Sequence, residues 1–298
     1  MSSTLNQVKG IILAGGTGSR LWPLTKTTSK QLLPVYDKPL IYYPLSTLML
    51  AGIREILVIT TPQDSESFKT LLGDGASIGI SITYAVQPKP EGLAQAFLIG
   101  EEFIGDESVA LILGDNIFYG AGLGRRLSEI QSSAGSIIFG IRVPDPQRYG
   151  VAEVLPTGQV ISIEEKPISP KSNIAIPGLY FFDNSVIDRA KTVQKSSRGE
   201  LEITSVISSY LHDNKLQLRE LGEGTTWMDC GTIDSLNFAA NYVKSIEEEI
   251  HFKIGCIEEV AFLQGWIDVD QLLVVAKSLG KNEYASYLAN APDRKLIG

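Results

Sequence analysis

Histidine and cysteine are scarce: the 298-residue sequence holds two of each, His212, His251, Cys230 and Cys256. Two cysteines make neither a disulfide framework nor an all-cysteine zinc site, and two histidines leave few ligands for a transition metal. Zinc hydrolases and histidine-based triads are therefore disfavoured, and any metal should be a hard ion held by carboxylates. Basic charge is also short, with 26 Lys and Arg against 34 Asp and Glu and a net charge of -8. With no long basic run, a nucleic-acid partner is not expected. Long apolar runs are missing as well. The longest uncharged stretch, residues 39–53, contains Pro39 and Pro44 and falls short of the roughly 18–20 residues of a spanning helix. No membrane association is expected. The N-terminus offers Lys9 ahead of only a brief apolar run and nothing like a cleavage site, so the cytoplasm is the default location.

What is present suits a soluble α/β protein. At roughly 150 residues per domain the length allows two domains, or one large unit with appendages. Residues 8–13, 55–60 and 109–113 are apolar without alternation, as in strands buried on both faces of a largely parallel sheet. Residues 40–51, 64–72 and 93–103 carry helix-length apolar patterns between them. The β-α-β-α-β-α-β order points to a doubly wound sheet with right-handed crossovers. After Gly135 come shorter strands at 136–143, 151–155, 160–164 and 178–182, separated by turn formers, which read as a mixed insertion covering one end of the sheet. From Thr232 the pattern is helical: 234–250, 258–264, 269–279 and 283–289.

Five segments carry candidate chemistry. Leu13-Ala14-Gly15-Gly16-Thr17-Gly18-Ser19-Arg20 follows the first strand, and its glycines let backbone amides approach a phosphate chain. The spacing is neither the dinucleotide fingerprint nor a P-loop; in their place stands Arg20, a fixed bidentate cation. Ser29-Lys30-Gln31 adds a second cation and an amide for ribose or base. Gly114-Asp115-Asn116 follows a buried strand, which delivers Asp115 to the crevice edge, where a carboxylate facing phosphates binds a divalent ion. Read alone, it is equally a helix cap or a turn. Asp229, at a second strand end, is a second metal candidate. Glu164-Glu165-Lys166-Pro167 pairs a carboxylate for sugar hydroxyls with a cation for a sugar phosphate, and Arg198 offers one more cation. Gln87-Pro88-Lys89-Pro90-Glu91-Gly92 is a rigid loop that aims the Gln87 amide and Gly92 backbone at a base edge.

Taken together with Tyr36-Asp37-Lys38-Pro39, Trp227-Met228-Asp229-Cys230-Gly231-Thr232 and Arg198-Gly199-Glu200-Leu201-Glu202-Ile203-Thr204, these segments resemble, in order and spacing, the sugar-phosphate nucleotidylyltransferases. Within that family the stretches at 41–49, 72–75 and 92–97 are similar to the short-form glucose-1-phosphate thymidylyltransferases. The resemblance implies a Rossmann-like nucleotidyltransferase fold with a mixed central sheet. It divides the chain into an α/β domain at 1–231, with an inserted sugar-binding part at about 136–231, and a helical region at 232–298 for assembly and regulation. It implies Mg2+-dependent formation of dTDP-glucose and pyrophosphate from dTTP and glucose 1-phosphate, feeding dTDP-sugar synthesis of the rhamnose type. Carried onto matching positions, Gly15, Gly16, Gly18, Ser19, Arg20, Lys30 and Asp115 surround the triphosphate, and Asp115 and Asp229 share the metal. Gln31, Gln87 and Gly92 hold deoxyribose and thymine; Asn116, Gly150, Glu165, Lys166, Ile176, Tyr180 and Arg198 contact the sugar phosphate. Arg20, Lys30, Asp115, Lys166 and Asp229 form the catalytic set. The resemblance also implies a homotetramer and a dTDP-sugar feedback inhibitor at a second site. Ser205, Ile174 and Cys230 stand where Asp, Tyr and Thr are common. Two alternatives stay open, a uridylyl- or cytidylyltransferase and a non-catalytic nucleotide-sugar sensor; a nicotinamide-dependent oxidoreductase, suggested by the glycine-rich turn, is disfavoured by the glycine spacing and by Arg20.

Overall fold

The computed structural model describes residues 8–130, 135–222 and 224–293; the outer ends of the expected 1–231 and 232–298 division lie outside them. The chain opens with β1 (Val8–Ala14), a small ladder of β2 (Pro34–Val35) and β3 (Lys38–Pro39), α1 (Tyr42–Leu50), β4 (Glu55–Thr60), α2 (Ser65–Leu72) and β5 (Ser81–Val86). Then follow α3 (Gln95–Ile99), α4 (Glu101–Ile104), β6 (Ser108–Leu113), β7 (Asn116–Gly120), α5 (Leu123–Ser128), β8 (Ser136–Arg142), β9 (Gly150–Val154) and β10 (Val160–Glu165). Next are β11 (Ile174–Ile176), β12 (Leu179–Phe182), α6 (Val186–Thr192), α7 (Ile203–His212), β13 (Leu216–Glu220) and β14 (Thr225–Asp229). The chain closes with α8 (Ile233–Ile250), α9 (Ile257–Leu263), α10 (Val269–Ser278) and α11 (Glu283–Ala289).

The apolar runs without alternation are the central strands. β1 lies between β4 and β6, parallel to both, with Ile12 opposite Val58 and Ile112. Its side chains alternate between two cores: Ile12 and Ala14 pack with Leu45 and Leu48 of α1, whereas Ile11 and Leu13 pack with Phe97 and Tyr210. β4 and β5 extend the sheet on one side of β1 and β6 lies on the other. The direction of winding therefore reverses between β1 and β6, and the crevice beyond their carboxyl ends is where open α/β sheets bind ligands.

Two expectations change. Residues 136–182 do not cover one end of the sheet but lengthen it: β12 pairs antiparallel with β6, Tyr180 opposite Leu111, and β8, β11, β9 and β10 follow outward. The open backbone edge of β6 is satisfied by this pairing, and the sheet is mixed as a result. The helix expected over 93–103 is interrupted at Gly100, where a Cβ would sit 3.0 Å from both Ala96 O and Ile11 Cδ1. Gly114-Asp115-Asn116 resolves as a turn opening β7, not as a helix cap.

β7 pairs antiparallel with β14, placing Asp229 opposite Asn116. Thr232 then caps α8 in a capping box with Ser235. The inner face of α8, Leu236, Ala239 and Val243, closes a third core over Leu21, Val35, Ile117 and Met228. Among the described residues no helix is long and apolar enough to cross a membrane.

A buried ion cluster ties the β2–β3 turn to the end of α8. Lys38 Nζ lies 2.5 Å from Asp37 and 2.9 Å from Glu247, with the Lys38 and Glu247 side chains 1% and 5% exposed. Glu247 also accepts the Ile254 N–H at 2.8 Å and a 3.3 Å contact from Lys253. Removing one partner of a buried pair leaves the other charge uncompensated. Glu247→Ala is expected to lower the unfolding free energy in urea by about 3–5 kcal/mol, and the double change Lys38→Met with Glu247→Leu by clearly less. A double variant as unstable as the single one would contradict this reading.

Candidate active site

At the β1–β6 switch point lies a cleft of about 370 Å³, lined on one side by Gly15, Gly16, Arg20, Lys30 and Gln31 and on the other by Gly150, Glu165, Lys166, Tyr180 and Arg198. Its floor is Asp115, Asn116 and Asp229, and Gln87, Gly92 and Ile176 complete the set of expected residues that reach it. Gly18 and Ser19 do not line the cleft. Gly18 shapes the turn instead, its carbonyl accepting the Thr25 hydroxyl at 2.7 Å and the Leu21 N–H at 2.9 Å. Gly15 is required for close approach, since a side chain there would collide with Gln87 Oε1.

Lys30 and Gln31 stand on a short 3-10 turn fixed at Ser29, whose N–H donates to Asp64 Oδ1 at 2.9 Å and whose hydroxyl donates to Gln31 Oε1. With its carbonyl so used, Gln31 offers its NH2 to the cleft. Lys30 Nζ pairs with Asp115 Oδ2. Arg20 makes no ion pair among the described residues.

The floor is two carboxylates of unlike character. Burial pushes the Asp115 carboxyl up, but the Lys30 ammonium and the Asn116 amide, donating at 3.0 Å, outweigh it and hold Asp115 below the ordinary carboxylate range. Asp229 is pushed up to about 6 by burial and by the Asp115 charge, against the partial relief of Lys30, Arg20 and Arg148. The β7–β14 register holds the two together, reinforced by Cys230 N–H donating to Asp115 O at 2.9 Å. Asn116 Oδ1 accepts Gly178 N–H at 3.0 Å and Trp227 Nε1–H at 2.6 Å, so this side chain fastens the floor to the second wall.

Sheet register assembles that second wall: Gly150 lies opposite Glu165 on one side and Ile176 on the other. Arg198 contacts Glu165 at 3.3 Å, Glu200 at 2.9 Å and Glu202 at 3.5 Å. Burial raises the Glu165 carboxyl, assisted by Glu202 and opposed by Lys166 and Arg198. Lys166 Nζ is 3.5 Å from Glu165 Oε1, and its N–H donates to Tyr149 O at 3.0 Å from a left-handed backbone with φ 43°.

Sequence reasoning missed Arg148 and Tyr149, which also line the cleft. Arg148 lies 3.9 Å from Asp229 and 2.8 Å from Asp145, and the Tyr149 ring packs edge-on against Trp227 with centroids 4.8 Å apart. Their one signal was adjacency to Gly150. Trp227, Glu200, Glu202 and Thr204 had been noticed only as neighbours in motifs; all four line the cleft. None of Ile174, Ser205 and Cys230 does, so these departures leave the cleft wall intact.

A glycine-rich turn and two facing carboxylates, on a mixed sheet with cations on both walls, define a nucleotide-handling transferase cleft. The nucleotidyl transferase family model matches residues 9–245, and the chain belongs to this family. It is 55% identical over 288 residues to a glucose-1-phosphate thymidylyltransferase of Mycolicibacterium smegmatis, covering 97% of this chain and 100% of the relative. It is 54% identical over 294 residues to that of Xanthomonas campestris pv. campestris, covering 98% and 100%. Its fold is similar to that of a UDP-glucose pyrophosphorylase complexed with UDP-glucose, with a TM-score of 0.71, 26% identity, and 80% of this chain and 99% of that chain covered.

Because Asp229 is buried beside a like charge, Asp229→Asn is expected to keep or raise the thermal unfolding midpoint at pH 8 while turnover falls by about 100-fold or more. A clearly lower midpoint would show that the two carboxylates do not oppose each other.

Proposed function

We propose that the protein transfers a thymidylyl group from dTTP to glucose 1-phosphate, giving dTDP-glucose and pyrophosphate. The observation that carries this reading is the facing pair Asp115 and Asp229, set between a phosphate-cradling turn and a wall suited to a phosphorylated sugar. Full-length similarity to glucose-1-phosphate thymidylyltransferases supports the choice of substrates. The nucleophile is a phosphate oxygen of the sugar phosphate; it forms a bond to the α-phosphorus in line while the bond to the β-phosphate breaks. That oxygen is already ionised at neutral pH, so no general base is needed. His212 and His251 accordingly lie away from the cleft, at the ends of α7 and α8.

The chain's work is to hold two anions together. Arg20 receives the departing pyrophosphate, and Lys30 exchanges its carboxylate partner for triphosphate oxygens. Lys166 and Arg198 orient the sugar phosphate. Glu165 and the Gly150 backbone accept and position the sugar, with Ile176 and Tyr180 behind it, while Gln31, Gln87 and Gly92 hold deoxyribose and base.

Two carboxylates, one raised by burial and by the charge of the other, suit Mg2+, which takes one or two protein carboxylates and completes its shell with water and substrate phosphates. No larger cluster of His, Cys, Asp or Glu competes for a metal among the described residues. Bound Mg2+, held by Asp115 and Asp229, would neutralise phosphate charge and polarise the reacting phosphoryl group.

The same reading places residues 1–231 as the catalytic domain, with the sugar-binding part at about 136–231, and residues 232–298 in assembly and regulation. It makes the protein a cytoplasmic homotetramer under feedback from a dTDP-sugar and feeding rhamnose-type synthesis.

Pyrophosphate release with Mg2+ and glucose 1-phosphate is expected to be fastest with dTTP among dTTP, UTP, CTP and ATP, and to require the sugar phosphate. Release that prefers another nucleotide would move the base assignment and keep the chemistry; nucleotide binding without release would indicate a sensor. Arg20→Ala is expected to lower kcat/KM by about 100-fold or more with unfolding free energy within about 0.5 kcal/mol of the parent. Near-normal turnover would remove Arg20 from the mechanism.

A further inference from the structure

Gln87 presents only one end of its amide to the cleft. Its Nε2 donates to Gln95 Oε1 at 2.7 Å, with a longer 3.5 Å contact to Gly92 O. Gln95, the first residue of α3, does not line the cleft. Its Oε1 also accepts the Glu91 N–H at 3.2 Å, and its Nε2 donates to Glu91 Oε2 at 3.2 Å. The other Glu91 oxygen accepts from Lys195 Nζ at 2.6 Å. That hydrogen bond, with the Lys195 charge, holds the Glu91 carboxyl below the ordinary carboxylate range and keeps it an obligate acceptor.

The two ends of a glutamine amide have nearly the same shape, so their direction follows from their partners. A carboxylate only accepts and a backbone N–H only donates, so Glu91 fixes both ends of Gln95. Gln95 Oε1 in turn only accepts, so Gln87 must turn its NH2 toward it. Gln87 Oε1 is thereby left beside Gly15 at the cleft wall, accepting no hydrogen bond among the described residues. Gln87 itself is 5% exposed, and an acceptor held so deep gains from a ligand N–H and loses from a ligand lone pair.

We propose that Gln95, locked by Glu91, is a positioning residue that fixes Gln87 as an acceptor and so restricts the base site to pyrimidines carrying a ring N–H. Thymine and uracil have an N3–H between two carbonyls; cytosine has a bare lone pair at N3. The Glu91–Gln95 pair thus selects keto over amino pyrimidines through Gln87, without itself lining the cleft. The inference rests on the reading of this cleft as a pyrimidine-nucleotide site and adds a residue and a direction of discrimination to it.

The test compares dTTP and CTP, by equilibrium dialysis and by kcat and KM with glucose 1-phosphate. Gln95→Met keeps side-chain length and helix compatibility and removes the acceptor. Its Kd and KM for dTTP are expected to rise about 5- to 20-fold, while its affinity for CTP changes less than about twofold and kcat stays within about twofold. The dTTP over CTP preference then shrinks by the same 5- to 20-fold. The exchange E91Q with Q95E returns an acceptor to position 95 and a donor to position 91, and is expected to restore the preference to within about threefold of the parent. Equal losses for both nucleotides in Gln95→Met, an unchanged preference there, or no restoration in the exchange would overturn the role of Gln95. A parent protein that binds and uses neither dTTP nor UTP would instead overturn the functional reading, before any variant is made.

Discussion

Everything at this site depends on holding two like charges face to face. Asp115 leaves β6 and Asp229 ends β14, and no local chain geometry would bring them together. The β7–β14 ladder does so, because Asp229 lies opposite Asn116, the neighbour of Asp115. Asp229 bears the cost, its carboxyl pushed up to about 6 by burial and by the Asp115 charge. Such an arrangement persists only where the surroundings leave no softer alternative. Cys230, next in the chain, is fully buried, and its N–H is engaged with the Asp115 carbonyl. Two residues further on, Thr232 caps α8. The apolar face of α8 and the buried Lys38–Glu247 pair then fasten this end of the floor to the segment that carries Lys30. The helix α8 thus belongs physically to the carboxylate pair.

The parts legible in the sequence are those whose signal is local. β1, β4 and β6 are apolar on both faces because both faces are covered, and that pattern shows within six or seven residues. The final helices keep apolar residues at helical spacing and carry caps such as Thr232, Asp268 and Asn282. The Gly15 turn, Asp115, Glu165 and Lys166 were legible because they follow or end strands, and strand ends in such a sheet deliver residues to one edge. Non-local pairing was not legible. β7 begins on Asn116 immediately after a turn sequence, and only its partner, β14, explains why it is extended. β12 reverses direction beside β6, so residues that look like a separate cover become sheet. Arg148 and Tyr149 lie in no spacing motif and reach the cleft only because β9 starts at Gly150. Gly18 and Ser19 carry the right chemistry for a phosphate, but the left-handed Gly18 bends the turn into a bond with Thr25.

The two walls are mechanically one object. Leu201 N–H donates to Glu91 O at 2.6 Å and Ala94 N–H donates to Leu201 O at 3.1 Å, clipping the loop that carries Gln87 to the loop that carries Arg198. At the clip sits Gly92, with φ 117°, where any Cβ would enter the Leu201 backbone. Gln87 and Arg198 are therefore spaced by backbone hydrogen bonds and not by flexible side chains. For in-line displacement that spacing matters, since misplacing the nucleophile by an ångström forfeits much of the gain from proximity.

This construction also explains how a cleft so rich in cations exists in a chain of net charge -8. Lys30 is paired with Asp115, Lys166 with Glu165, and Arg198 with three glutamates. On the proposed reading, phosphate binding is an exchange of carboxylate for phosphate at donors already in position. Donors that are prepositioned in a partly dehydrated cleft need little reorganisation when charge moves toward them. Arg20 stands apart from this exchange: it makes no ion pair among the described residues and acts on Asp229 only through its charge. A phosphate arriving there would gain the guanidinium without displacing a carboxylate from it.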